Sequence, residues 1–384
     1  MKALLRSETE RLEGPRSARP GELDIVLETV NKVMRVDKGL KPTIRTDYPM
    51  IYNEENLSNI IVIKNGNHVV SSAAVWINSI EIGSARLKVG GINCLVTAPE
   101  YRRRGLASEV MQASHKHMAE LGCHVARLTT HIAGWYNRLG WEAAGSYGTY
   151  EINRSNMALL PVLGDDISIS CHRNDFEEST MVDLVRLHQA DKLGGVRSPE
   201  LLRTLLKAGS DPEVTPDTWI VFAIRRDEPV AYLLDRGNIV IEWGGRSDLI
   251  AGLLRAWYER AERHGTQAKR ARSSNADYSD KVTLTAPNSG HALLQLLRAR
   301  FFPCRLDYWG MLYTLDPRGI LDAFGRQDVF VGEQNGEFTL ERGSARVTVS
   351  RSQLTKLLFG PERISDFVDD VLPFTFWEWP IEHV

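Results

Sequence analysis

Leu95-Val96-Thr97-Ala98-Pro99-Glu100-Tyr101-Arg102-Arg103-Arg104-Gly105-Leu106-Ala107 reads as an apolar strand that passes through a short loop into the N-terminus of a helix. The first four N–H groups of a helix lack intrahelical acceptors, and the aligned peptide dipoles add about half a positive charge there. Such a loop is a natural seat for a phosphate or pyrophosphate. Gly105 lets the backbone approach an anion closely, and Ala107 keeps the second contact small. Taken alone, Arg102-x-x-Gly105-x-Ala107 is weak evidence, since a pattern of this kind arises by chance in a chain of this size roughly one time in three.

The flanking sequence adds context. Between Gly105 and Leu121, the residues Ala107, Val110, Met111, Met118 and Leu121 fall near one helical face. A strand from Val125 to Thr129 follows, then a short helix carrying Trp135-Tyr136-Asn137-Arg138-Leu139-Gly140-Trp141. Upstream, a short strand near Arg16 to Arg19 leads into a helix with Val26, Val30, Val33 and Met34 at helical spacing. Asn65-Gly66 marks a tight hairpin between Ile60–Ile63 and the strand from Val69 to Ile80, and Gly83-Ser84 turns the chain into the strand ending at Thr97. The resulting order, β-α-β-β-β-α-β-α, describes a mixed sheet. Together with the Arg102–Ala107 loop and the Tyr136-x-x-x-Gly140-Trp141 element, it resembles the acetyl-CoA-dependent N-acetyltransferases of the GNAT superfamily.

From Cys171 to Phe302 a similar order repeats more faintly: a helix around Met181 to Ala190, strands Trp219–Ile224, Val230–Leu234 and Asn238–Trp243, and a helix from Asp248 to His264. The loop before that helix, Trp243-Gly244-Gly245-Arg246-Ser247-Asp248, lacks the anion pattern and places an acid where a phosphate would sit. This half reads as structural or substrate-lining. The last segment predicts a helix at Asp316–Phe324, an Asn335-Gly336 turn, strands Glu337–Leu340 and Ala345–Val349, and a helix opened by the capping box Ser350-x-x-Gln353 and stopped at Gly360-Pro361. The chain ends in Phe374-Thr375-Phe376-Trp377-Glu378-Trp379-Pro380-Ile381-Glu382-His383-Val384, too aromatic for a frayed tail and expected to pack against the body. The expected fold class is α+β or mixed α/β, with tandem GNAT-type domains at 1–165 and 166–303, the second degenerate. A small α+β domain at 304–384 resembles the sterol-carrier fold. This plan is similar to the Eis family of bacterial N-acetyltransferases.

Bulk properties narrow the function. The 384 residues are 43% hydrophobic and 25% charged, with a net charge of −2 and no long basic run, which argues against nucleic acid as the main partner. Lys269-Arg270-Ala271-Arg272 reads as a solvated basic stretch. Cys94, Cys123, Cys171 and Cys304 are far apart, so neither a metal nor a disulfide framework is expected, and a cytoplasmic protein is the default. Neither a signal peptide nor a membrane span is expected, since no run approaches ~20 apolar residues.

The resemblance implies acetyl transfer to amines, either aminoglycoside-like polyamines or lysine side chains, by direct attack in a ternary complex. In that picture Leu95, Val96 and Thr97 bond the pantetheine arm of acetyl-CoA, and Arg103, Arg104, Gly105, Leu106, Ala107 and Ser108 hold its pyrophosphate. The resemblance adds His131 and Ile132 as further cofactor contacts. It makes Tyr136 the general acid, a phenol of pKa ~10 matched to a departing thiolate; read by itself, Tyr136 packs between Trp135 and Trp141. It makes the α-carboxylate of Val384 the general base. This sequence departs from the family pattern of an acid followed by a terminal aromatic, so His383 and a docked tail without chemistry stay open as alternatives. Asp24, Glu28, Asp37, Glu378 and Glu382 are candidates for an acidic acceptor pocket. The family assembles as hexamers, so a homo-oligomer is expected. The rival readings are a non-catalytic acyl-CoA-binding sensor and a transferase for longer acyl groups.

Overall fold

The computed structural model describes residues 11–208, 216–268, 281–367 and 372–383. Val384 and the basic stretch 269–272 lie outside them. The first part contains β1 (Leu12–Ser17), α1 (Leu23–Met34), α2 (Ile44–Asp47), β2 (Ile60–Asn65), β3 (His68–Ile82), β4 (Ala85–Thr97), α3 (Leu106–Glu120), β5 (Val125–Leu128), α4 (Ala133–Asn137) and β6 (Glu142–Asn153). The middle contains β7 (Ser168–Arg173), α5 (Glu178–Asp191), β8 (Leu193–Gly195), α6 (Pro199–Lys207), β9 (Thr218–Arg225), β10 (Glu228–Arg236), β11 (Ile239–Gly245), α7 (Ser247–Ala268), β12 (Lys281–Pro287) and α8 (Ala292–Ala299). Then come β13 (Cys304–Thr314), α9 (Pro317–Ala323), β14 (Phe330–Gln334), β15 (Glu337–Arg342), β16 (Ala345–Ser350) and α10 (Arg351–Phe359).

Among the described residues, thirteen strands form one mixed sheet in the order β1-β2-β3-β4-β5-β13-β6-β12-β11-β10-β9-β7, with β8 on the far end of β3. The two expected halves are therefore joined edge to edge. The join is made by an exchange of strands. Cys304–Thr314, which opens the segment expected to form the third domain, lies as β13 between β5 and β6, antiparallel to both. In turn β6 is antiparallel to β12 over the full run Lys281↔Asn153 to Pro287↔Tyr147. Each half thus completes its sheet with a strand from elsewhere in the chain.

Local chemistry accounts for the elements. The Asn65-Gly66 hairpin forms with Gly66 at φ +57°, the left-handed conformation that such a turn requires. The Ser350–Gln353 capping box forms reciprocally at the head of α10. Helix α3 lays Leu106, Val110, Met111, Ser114 and Met118 on the sheet, and Gly90 of β4 leaves room for Met118, whose sulfur a Cβ there would strike. Leu121, expected on the same face, is exposed at 37%.

The aromatic tail packs as expected: Phe374, Phe376, Trp377 and Trp379 are buried. Phe376 meets Trp309 of β13 and Phe359 of α10 edge-on, and Trp379 meets Trp243 of β11 at 5.3 Å.

On the α3 side of the first half, His115 stacks on Tyr313 at 4.1 Å and tilts against Trp141 at 5.5 Å. Burial, with a contribution from Arg351, pushes its imidazole pKa down to about 4. The unfolded chain therefore takes up a proton near pH 6.5 that the fold refuses until about pH 4, so stability falls as pH drops through this window. Replacing His115 by Gln should flatten that loss by up to about 3 kcal/mol between pH 7 and 4, read from urea midpoints across the range.

Candidate active site

The site begins where β4 and β5 part. These parallel strands pair at Val89↔Val125, Gly90↔Ala126 and Gly91↔Arg127 and no further, although β4 continues to Thr97. On its other edge β4 carries a bulge. Val96 faces Ser72 and Asn93 faces Ala74, so β4 spends one residue more than β3 across this step. Cys94 absorbs it at φ +45°. The bulge turns the end of β4 away from β5, and among the described residues the edge of Leu95–Thr97 that faces β5 has no strand against it. An extended ligand amide chain can pair there as a strand would.

Beyond Thr97, the turn Pro99–Tyr101 leads into the loop that starts α3. Arg103 (φ +63°) and Gly105 (φ +86°) bend the backbone so that it curls before the helix. Helical bonding begins with Ser108 and Glu109 donating to the Gly105 carbonyl, and among the described residues the N–H groups of Arg103, Gly105, Leu106 and Ala107 have no backbone acceptor. They border a cavity of about 180 Å³ lined by Thr97, Tyr101, Arg102, Arg103, Gly105–Ser108 and Trp135. Arg103 is exposed; Arg104 donates to the Glu100 carbonyl and lies over the Tyr101 ring at 4.9 Å. His131 and Ile132, 63% exposed in the second case, lie between β5 and α4.

Tyr136 on α4 is buried, edge-on to Trp135 at 4.8 Å and to Trp141 at 6.2 Å. Burial raises its phenol pKa above the ordinary 10, so it carries its proton throughout the neutral range. It belongs to the core on the α3 side together with Ala126 and Leu128. Alternation along β5 sends Val125 and Arg127 to the opposite face.

Arg127, which the sequence reading passed over, is the hub of that opposite face. Fully buried, it places Nε 2.6 Å from Glu378 Oε2 and donates through Nη2 to the Glu382 carbonyl at 2.6 Å. Its guanidinium stands between the rings of Trp76 and Trp309, at 5.9 and 5.4 Å. Asn78 donates to the other Glu378 oxygen at 2.7 Å. Burial pushes the Glu378 carboxyl up to about 7 despite the neighbouring arginine. The tail thus meets the first half at the point where β4 and β5 separate. An arginine inside Val125-Ala126-Arg127-Leu128 was the available signal, because a charge amid a buried strand needs a partner.

Two of the acids expected to form an acceptor pocket are therefore already paired inside the protein. Glu378 is held by Arg127, and Glu382 by Arg197 at 3.0 Å and by two contacts from Gly195 N–H. Asp24 and Glu28 are exposed on α1, and Asp37 pairs with Lys32 at 2.7 Å. His383 is exposed with its ring 4.6 Å from that of Trp309. Desolvation, with a contribution from Arg127, lowers its pKa to about 3.

In the second half, the corresponding loop is filled from within. Gly245 N–H donates to the Asp191 carboxylate at 2.8 Å, and Arg246 pairs with Asp248 at 2.8 Å. The anion seat there is taken by a side chain.

A parted parallel pair, a bulged strand with one open edge and a helix start presenting free N–H groups together define an acetyltransferase domain of the GNAT class. Residues 15–144 match the family model of the acetyltransferase (GNAT) domain, and the chain carries such a domain and is an acetyltransferase. No curated protein sequence matches the chain. Among solved structures, it is similar to a probable N-acyltransferase of Enterococcus faecalis (14% identity, TM-score 0.62, covering 91% of this chain and 89% of that one). It is also similar to a GCN5-related N-acetyltransferase of Anabaena variabilis (17%, 0.61, 91% and 90%) and to Eis1 of Mycobacterium abscessus (16%, 0.58, 92% and 90%). At these identities the likeness is one of fold, and it extends over nearly the whole chain.

Reversing charge at the first loop should weaken acetyl-CoA binding at least tenfold in Arg103→Glu, whereas Arg246→Glu at the second loop should leave it within about twofold, as titration calorimetry would show. Equal losses would mean that the binding half has been assigned wrongly.

Proposed function

We propose that this protein is an acetyl-CoA-dependent N-acetyltransferase of Eis type that acetylates amines, either polyamine-like aminoglycosides or lysine side chains. The observation that carries the reading is the parting of β4 and β5 at Gly91 and Arg127 beside the N–H groups of Arg103, Gly105, Leu106 and Ala107. An open strand edge suits an amide-bearing pantetheine arm, and the loop suits its pyrophosphate. The residues present fit the cosubstrate, which supplies the activated acetyl group.

In this reading Leu95, Val96 and Thr97 align the arm by backbone hydrogen bonds, and an N–H of the bulged strand faces the thioester oxygen. Arg103, Arg104, Gly105, Leu106, Ala107 and Ser108 hold the phosphates, and His131 and Ile132 border the arm. Tyr136, protonated at neutral pH, gives its proton to the departing thiolate sulfur. The acceptor amine comes from the opposite face, where the tail lies, and attacks directly while both substrates are bound. The α-carboxylate of Val384 receives the proton that the ammonium must lose first. The three functional parts are 1–165, 166–303 and 304–384, with β13 lent by the third to the first sheet. The same reading carries a cytoplasmic homo-oligomer, hexameric by resemblance.

The test is CoA release from acetyl-CoA across a panel of polyamines, aminoglycosides and lysine peptides. Tyr136→Phe should lower kcat about 10²-fold with acetyl-CoA affinity kept within about twofold, and deletion of Val384 should lower kcat comparably. Acetyl-CoA binding without turnover of any amine would make the chain an acyl-CoA-binding sensor. Absence of binding would remove both readings.

A further inference from the structure

The second half repeats the geometry of the first up to the point where a ligand would enter. Strands β11 and β12 run parallel, pair only at Ile239↔Thr283 and Val240↔Leu284, and then separate while β11 continues to Gly245. Here the parted edge is already covered. The tail seats Trp379 against Trp243 of β11, and the Trp379 indole N–H donates to the Leu193 carbonyl at 2.7 Å. The Trp243 indole bridges back to the Thr285 carbonyl at 3.1 Å. With Asp191 on the Gly245 N–H, neither the strand edge nor the anion seat of this copy is free.

A buried ionic cluster fixes the same tail segment. Arg197 pairs with Glu242 of β11 and, at 3.0 Å, with Glu382; all three side chains are at most 1% exposed. Tyr232 donates to Glu242 at 2.6 Å. Both Glu382 oxygens accept from Gly195 N–H at 3.1 Å, and one also accepts from Trp379 N–H at 2.8 Å. Gly194 and Gly195 have no space for a side chain: a Cβ on the first would meet the Trp379 ring, and on the second the Glu382 carboxylate. Four residues away, Arg127 of the first half grips Glu378 and the Glu382 carbonyl. One arginine from each half thus holds the five-residue segment 378–382, immediately before the chain end.

We propose that the second GNAT copy is an internal receptor for the chain's own C-terminal tail in place of a cofactor, and that Arg197 and Arg127 are positioning residues that hold the chain end at the acetyl-transfer site of the first copy. The proposal rests on the function proposed above, because it explains how a terminal carboxylate is held as a base. Removing the Arg197–Glu382 contact leaves the first loop and its cosubstrate site untouched. It acts on turnover through the position of the tail.

The test uses the full chain. Calorimetry should give one acetyl-CoA per chain. In Glu382→Gln, amide hydrogen exchange of peptides spanning 374–383 should rise at least tenfold while α3 stays protected. With spermidine as acceptor, kcat should fall at least tenfold, and the Kd for acetyl-CoA should stay within about twofold. Gly195→Ala should give the same pattern and serves where Glu382→Gln fails to fold. Two acetyl-CoA per chain, unchanged tail exchange, or full kcat with a loosened tail would each overturn the proposal. Failure of the wild-type protein to acetylate any amine would instead remove the proposed function, while stoichiometry and tail exchange would still decide whether the second copy receives the tail.

Discussion

Everything at the site depends on two parallel strands that stop pairing early. A bulge at Cys94 turns β4 away from β5 after Gly91, and the price is a row of unpaired backbone groups that must find other partners. In the first half that edge stays open among the described residues, with the N–H groups of Arg103, Gly105, Leu106 and Ala107 at its end. In the second half the chain meets the same need with its own aromatic tail. One geometric device thus leaves an open strand edge in the first half and an edge covered by the tail in the second.

The tail is held by more than apolar burial. Aromatic packing is non-directional and would allow the segment to slide, whereas the buried carboxylates of Glu378 and Glu382 meet fixed arginines on two different halves. Taking such charges out of water is costly, and the cost is offset only when each has its partners in place. Glu242 illustrates the balance: burial raises its pKa, but Arg197, with His188 and Tyr232, brings it down to about 2. Glu378, with fewer partners, ends at about 7. Arg197 and Arg127 therefore face carboxyl groups that differ in how readily they take up a proton.

The joined sheet links the two halves through one exchanged strand. β13 sits between β5 and β6, and β6 in turn edges the second half through β12. Trp309 on β13 touches Arg127, Phe376 and His383, so the exchanged strand also forms the floor on which His383 rests.

The sequence by itself determined the local elements: the Asn65-Gly66 hairpin, the strand-loop-helix around Gly105, the faint repeat with its missing anion pattern, and the Ser350 capping box. Each is written in neighbouring residues whose spacing or backbone preference has one local solution. It also determined that the tail would be buried, because its aromatics have no place in water. Only the tertiary structure decided that residues 304–314 enter the first sheet, that Asp191 fills the second anion seat, and that Glu378 and Glu382 are internal anchors instead of a solvent-facing acidic pocket. The reason is that strand partners and buried ion pairs join residues up to 300 positions apart, as Asn78 and Glu378 are. A hydrophobic period states which face of an element is buried, and nothing in it states against what.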